Sequence, residues 1–163
     1  MPTAGAVSLA TWFELGPGVP APGGGDFAIA QFARTTLGAL ARRIGHRGRF
    51  DGIRLIGDTA DPVRRVAIAN GLVTPKRMAA MLANAKVDAI VCGEFVEWEA
   101  GPYFQDARAA GRRCGLVLTG FAASQEPLAG ALARLASQIL PQTRVVPFAQ
   151  DVPVHTLAAG AGQ

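Results

Sequence analysis

Histidine, cysteine and lysine are scarce in this chain, and each scarcity removes a class of chemistry. The only histidines are His46 and His155, and the only cysteines are Cys92 and Cys114. That cysteine spacing matches no zinc pattern. A nucleophilic serine needs a histidine base, and neither histidine stands at a triad spacing from Ser124, which argues against a serine hydrolase. Aromatic residues make up 7% of the 163 residues, so the core is built from Ala, Val, Leu and Ile. No apolar run reaches the roughly 18 residues that span a membrane. The opening MPTAGAVSLATWF has no basic n-region, so no signal peptide is expected. Both cysteines fall in apolar runs, where free thiols are commonly buried. A reducing cytoplasm is the expected location.

Lysine is replaced by arginine, 14 against 2, and the net charge is +4. A basic protein can bind phosphate backbones. Here the arginines are scattered, with short clusters at Arg42-Arg43, Arg47-Arg49, Arg64-Arg65 and Arg112-Arg113 and no interleaved aromatics. This argues against nucleic acid as a partner.

What is abundant is apolar residues, 50% of the chain. The organising stretch is Val87 to Gln125. Val87 to Cys92 and Cys114 to Thr119 are nearly unbroken apolar runs, as in parallel strands covered on both faces. The residues between them can form a crossover helix. Parallel sheets build sites at the carboxyl ends of strands, which directs attention to Gly93-Glu94-Phe95 and to Gly120 through Glu126.

The rest follows in chain order. Residues 1–25 read as a poorly structured N-terminal segment, with Pro/Gly-rich sequence from Gly16 to Gly25; the piece Ala6 to Leu15 can pack as a short strand or helix. Asp26 offers an N-cap for a helix running from Phe27 to Ile44, ended by Gly45. Strands are expected at 53–57 and 63–69, paired antiparallel across a short turn. Thr74-Pro75 starts a helix. The strand 87–92, a helix within 96–110, the strand 114–119, a helix over 126–139 capped by Ser124 and a strand at 143–148 complete the pattern. The expectation is a single layered α/β domain over 26–150. Its sheet is mixed, mainly parallel and five-stranded, with flanking helices. A loose tail covers 151–163.

Three features can carry function. The turn Asn70-Gly71 to Lys76-Arg77 joins a strand to a helix start, where free N–H groups can hold a phosphate; Asn70, Gly71 and Lys76 are the candidate anion-binding residues. It is not a P-loop. Glu94, Glu97 and Glu99 follow the strand ending at Cys92. Glu94 and Glu97 are candidates for acid and base, although acidic residues also simply favour a helix start. The third is the turn Gly120 to Pro127.

Several motifs in order resemble one family. They are Gly57-Asp58 with Arg64 to Gly71, then Val87 to Glu94, which is similar to an Asp-x-x-x-Thr-Gly-Glu strand end. Ala109-Ala110-Gly111 comes before a strand, and Gly120 opens a turn into a helix carrying Leu128 and Leu132. From Arg54 to Pro147 the chain resembles the C-terminal half of the NIF-three-like family, the dinuclear-metal hexameric proteins often labelled GTP cyclohydrolase I type 2 homologues. The resemblance implies the α/β fold, a ring-like assembly and a divalent metal pair. Its Gly-His-x-x-x-Glu ligand motif reads Gly120-Phe121-Ala122-Ala123-Ser124-Gln125 here, and the adjacent histidine pair of the N-terminal half has no counterpart. Phe cannot ligate a metal and Gln is a poor ligand. No metal or other cofactor is therefore expected.

Two functions from different classes stand at this point. One is a NIF-three-like lobe without the dinuclear centre, acting as a non-catalytic binding or assembly module, with a separate N-terminal lobe as a possible partner. The other is a hydrolase, metal-dependent or not, acting on a nucleotide or phosphate ester. Self-association as a dimer or hexamer is expected. Trp12, Phe13, Phe95, Trp98, Tyr103 and Phe104 are the candidate contact residues. The alternative is that residues 1–25 fold back and cover that surface.

Overall fold

The computed structural model describes residues 2–22, 25–50, 52–84 and 86–148. The elements are α1 (Pro2–Trp12), β1 (Val19–Pro20), β2 (Ala28–Thr36), α2 (Leu37–Gly48), β3 (Arg54–Ile56), β4 (Pro62–Val73), α3 (Pro75–Leu82), β5 (Ala89–Phe95), α4 (Ala100–Ala109), β6 (Gly115–Leu118) and α5 (Phe121–Ile139). The expected layered α/β domain is present, with a mixed sheet flanked by helices. That sheet has six strands in the order β1-β2-β4-β5-β6-β3. Parallel pairing is confined to its centre, β4 with β5 and β5 with β6, and antiparallel strands close both sides.

Side chains alternate across the strands, and this sends β4 to two cores. Ala67 and Ala69 join Met78, Met81, Ile90, Phe104 and Leu116 under α3 and α4. Val66 and Ile68 join Leu9, Phe13, Leu37, Leu40, Ile44, Val91 and Val117 under α1 and α2. Each fully buried Leu, Ile or Phe of this kind stabilises the fold by about 1.5–3 kcal/mol relative to exposure.

Several elements differ from the sequence reading, each for a physical reason. The helix expected from Phe27 splits into β2 and α2. Residues Ala28 to Ala30 pair with Val66 to Ile68, so the tertiary need of β4 for a neighbour overrides local periodicity. The true N-cap is Thr36, whose hydroxyl accepts from the Ala39 N–H at 3.2 Å. β3 does not pair with β4. A strand has two edges, and those of β4 are taken by β2 and β5; β3 instead takes the free edge of β6, Arg54 opposite Leu118. β4 runs past Asn70-Gly71 to Val73, and β5 contains Glu94 instead of ending before it. No strand forms at 143–148, which is almost wholly exposed. The segment expected to be poorly structured holds α1, with Leu9, Phe13 and Leu15 fully buried. The tail 151–163 lies outside the described residues.

Arginines fasten the ends of these elements. Arg112 donates to the carbonyls of Asn84 at 2.7 Å and Val87 at 2.8 Å. Arg108 donates to that of Cys114, Arg43 to that of Glu14 and Arg47 to that of Trp12.

Candidate functional site

The carboxyl ends of β4, β5 and β6 meet the first turn of α5, and this junction is where the motifs converge. β4 shifts register between Ala69 and Leu72. Gly71 sits in that irregularity at φ +67°, a left-handed conformation that costs glycine nothing. Its N–H donates to Ser124 Oγ at 2.8 Å, and Ser124 Oγ donates to the Phe121 carbonyl at 2.7 Å. Beside them, a Cβ on Gly93 would lie 2.4 Å from Ser124 Oγ and 2.7 Å from the Gly71 carbonyl oxygen. Only glycine lets the strand and helix approach this closely. Ser124 is thus a buried joint inside α5. The expectation that it caps the helix is corrected by the earlier start of α5 at Phe121, behind Gly120.

The side chain at position 125 completes the closure. Asn70 Nδ2 donates to Gln125 Oε1 at 2.8 Å. A Cβ on Gly71 would meet Gln125 Nε2 at 2.8 Å and the Phe121 ring at 3.4 Å. The two positions at which the resemblance places metal ligands are therefore occupied by a half-exposed phenyl ring and by an amide already engaged with a neighbour. Among the described residues no three His, Cys, Asp or Glu side chains come together as a metal site.

The anion candidates are dispersed in role. The Asn70 amide and the Gly71 N–H are spent on Gln125 and Ser124, and Lys76 is exposed on α3. The cation that serves this turn is Arg77, missed in the sequence because it adjoins a more obvious lysine. It donates to the carbonyls of Asn70 at 2.8 Å, Leu72 at 3.1 Å and Asp26 at 2.8 Å, and lies 3.6 Å from the Asp26 carboxylate. Burial lowers its pKa, against the attraction of Asp26 and then Cys92. The helix start itself is as expected, with Thr74 capping and Pro75 in the first turn.

The carboxylates part company as well. Glu94 lies half-buried within β5, opposite Leu72. Glu97 is paired with Arg54 at 3.0 Å, both side chains 62% exposed, where water screens such a pair. Glu97, Arg54, Phe95, Gln105 and Leu118 line an open cavity of about 610 Å³, to which neither Glu94 nor the anion candidates contribute. Glu99 stands at the start of α4 without a side-chain capping bond. Both cysteines are free and buried. Burial pushes Cys92 up to about 12 and Cys114 up to about 11, so neither is a nucleophile near neutral pH.

The aromatic candidates for an interface also divide. Phe13 and Phe104 are fully buried and Phe95 nearly so, while Trp98 and Tyr103 are exposed.

With this geometry in place, comparison with known proteins identifies the fold. No protein-family model matches the chain, and no curated protein matches it in sequence. Solved structures do match. A Bacillus cereus protein related to NIF3 is 19% identical, with a TM-score of 0.57 over 71% of this chain and 30% of its own. A Staphylococcus aureus protein is 19% identical, with a TM-score of 0.56 over 84% of this chain and 36% of its own. Protein ybgI, of unknown function, is 20% identical, with a TM-score of 0.62 over 82% of this chain and 51% of its own. The chain has a NIF-three-like fold, and it spans between 30% and 51% of the length of these structures. Among the described residues no helix is long and apolar enough to cross a membrane.

Proposed function

We propose that this chain is a NIF-three-like lobe that lacks the dinuclear metal centre and works as a non-catalytic binding or assembly module. The observation that carries this reading is the state of the two ligand positions. Phe121 offers no donor atom, and Gln125 accepts from Asn70 while packing over Gly71. The residues present do not fit a metal pair. The label of GTP cyclohydrolase I type 2 homologue therefore stands for ancestry of the fold in this reading, not for chemistry. A location in the cytoplasm is compatible with the two free thiols. The chain spans 30% to 51% of the length of its structural neighbours, and in this reading a lobe equivalent to the remainder is a candidate partner.

Metal analysis of the purified, dialysed protein tests this. The expected content is well below one ion per chain. Two tightly bound ions per chain would overturn the reading.

A further inference from the structure

We propose that the groove between α1 and α5 binds a small aromatic acid, a planar ring that carries a carboxylate or a phosphate. The groove shares α5 with the junction described above but none of the junction's residues, and it stands whether or not that junction holds metal.

The groove has a volume of about 590 Å³, within the range of small-molecule sites. Val7, Ser8 and Trp12 of α1 border it on one side, and α5 borders it on the other with residues between Glu126 and Arg134. Two of those α5 residues suit a helix poorly. Pro127 has no N–H to give inside the helix, and Gly130 is destabilising there relative to Ala. What Gly130 provides is room. The Arg134 side chain lies back over it, with Nη1 3.6 Å from where a Cβ would stand. Residues that oppose the element they sit in are expected where a site is built.

The charge in the groove favours an anion. Arg47 is paired with Glu14 at 3.0 Å and donates to the Trp12 carbonyl at 3.2 Å. Arg134 has no ion pair among the described residues. Glu126, eight residues earlier and about 12 Å away along the helix axis, forms none with it. One guanidinium therefore remains unmatched, and its planar fork fits a carboxylate or a phosphate. The Glu126 carboxylate, at the other end of the α5 wall, suits a hydrogen-bond donor on the ligand.

The ring of the ligand is matched by Trp12. Its indole stacks on the Phe13 ring, with centroids 5.7 Å apart and planes 3° from parallel. Phe13 is fully buried and meets Phe50 edge-on. The half-buried indole is thus braced from the core where it borders the groove. A ring held in place offers stacking at little cost in lost freedom. Phe148, 91% exposed, adds a second aromatic surface to the lining.

Fluorescence titration of the full chain carrying Trp98→Phe tests this. Trp98 is 79% exposed and lies outside the groove, so its replacement leaves Trp12 as the only indole, and the emission reports on the groove. The probes are 4-hydroxybenzoate and adenosine monophosphate, one a carboxylate and one a phosphate, each with a donor on its ring. A saturable change in emission is expected with at least one of them, and the tighter binder names the anion. Arg134→Gln should weaken that binding about tenfold. It should also abolish the preference for 4-hydroxybenzoate over its uncharged amide, or for adenosine monophosphate over adenosine. Arg134 is exposed, so the circular dichroism spectrum should not change. No saturable change with either probe at millimolar concentration overturns the proposal, and so does binding that Arg134→Gln leaves as tight as before. Metal content is read on the same samples: bound metal rejects the reading of the junction and leaves this site standing, whereas a metal-free protein that binds neither probe rejects this site alone.

Discussion

Helices α2 and α5 both carry an apolar stripe, yet the fold treats them differently. In α2, five of twelve residues are buried: Leu37, Gly38, Leu40, Ala41 and Ile44. In α5, one of nineteen is. α2 lies over the middle of a sheet face, and α5 is held at its first turns and continues beyond it. A periodic apolar pattern states which side of a helix avoids water. It does not state what covers that side, and the cover decides the energy.

Paired truncations break or sharpen this contrast. Leu40→Ala should cost about 2–5 kcal/mol in urea unfolding, as expected for a core cavity. Leu135→Ala, measured at low protein concentration, should stay within about 0.5 kcal/mol. Equal costs would mean that the α5 stripe is covered in the monomer, and the contrast would vanish.

A smaller effect tests where α5 is held. Gly71→Ala places a side chain in a left-handed conformation and against the Gln125 amide, and should cost about 1–2 kcal/mol. Adding Gln125→Ala should return part of that cost in a double-mutant cycle. Strict additivity would show that Gln125 does not bear on Gly71.

The smallest effect concerns the core that α5 lacks. Cys92 and Cys114 lie under α3 and α4, with folded pKa values raised from 9.0 to about 12 and about 11 by burial. The unfolded thiols lose protons first, so folding stability is intact below pH 9 and falls as the pH rises toward the folded values. By pH 9 the two together should cost under about 1 kcal/mol. Urea midpoints at successive pH values check this, with Cys92→Ala flattening the slope. Rapid labelling of native thiols at neutral pH would contradict it.

Much of the central architecture was legible from residue order. The runs around Val87–Cys92 and Cys114–Thr119 read as strands because both of their faces are covered, which leaves no polar residue to confuse the pattern. Thr74-Pro75 read as a helix start because cap and ring geometry are local. Residues 28–36 did not read correctly, because their apolar positions suit either period and pairing with β4 decides between them. Thr143 to Phe148 has strand chemistry but pairs with no strand of the sheet. At the site, Phe121 and Gln125 stood out as departures from a motif. Their closure onto Gly71 and Asn70 was hidden, since it depends on the shifted register of β4, which no local pattern encodes.

The arginine-for-lysine bias has a consequence for acid tolerance. Arg43, Arg47, Arg77, Arg108 and Arg112 spend their guanidinium groups on backbone carbonyls at the ends of elements. A carbonyl oxygen does not titrate, and the guanidinium keeps its proton throughout the acid range. Only three carboxylate ion pairs, all at least partly exposed, are present among the described residues. Acidification therefore leaves these arginine bonds in place, and the ion pairs it weakens are surface pairs of small worth. The element ends that these arginines fasten are tied by bonds to which a falling pH is indifferent.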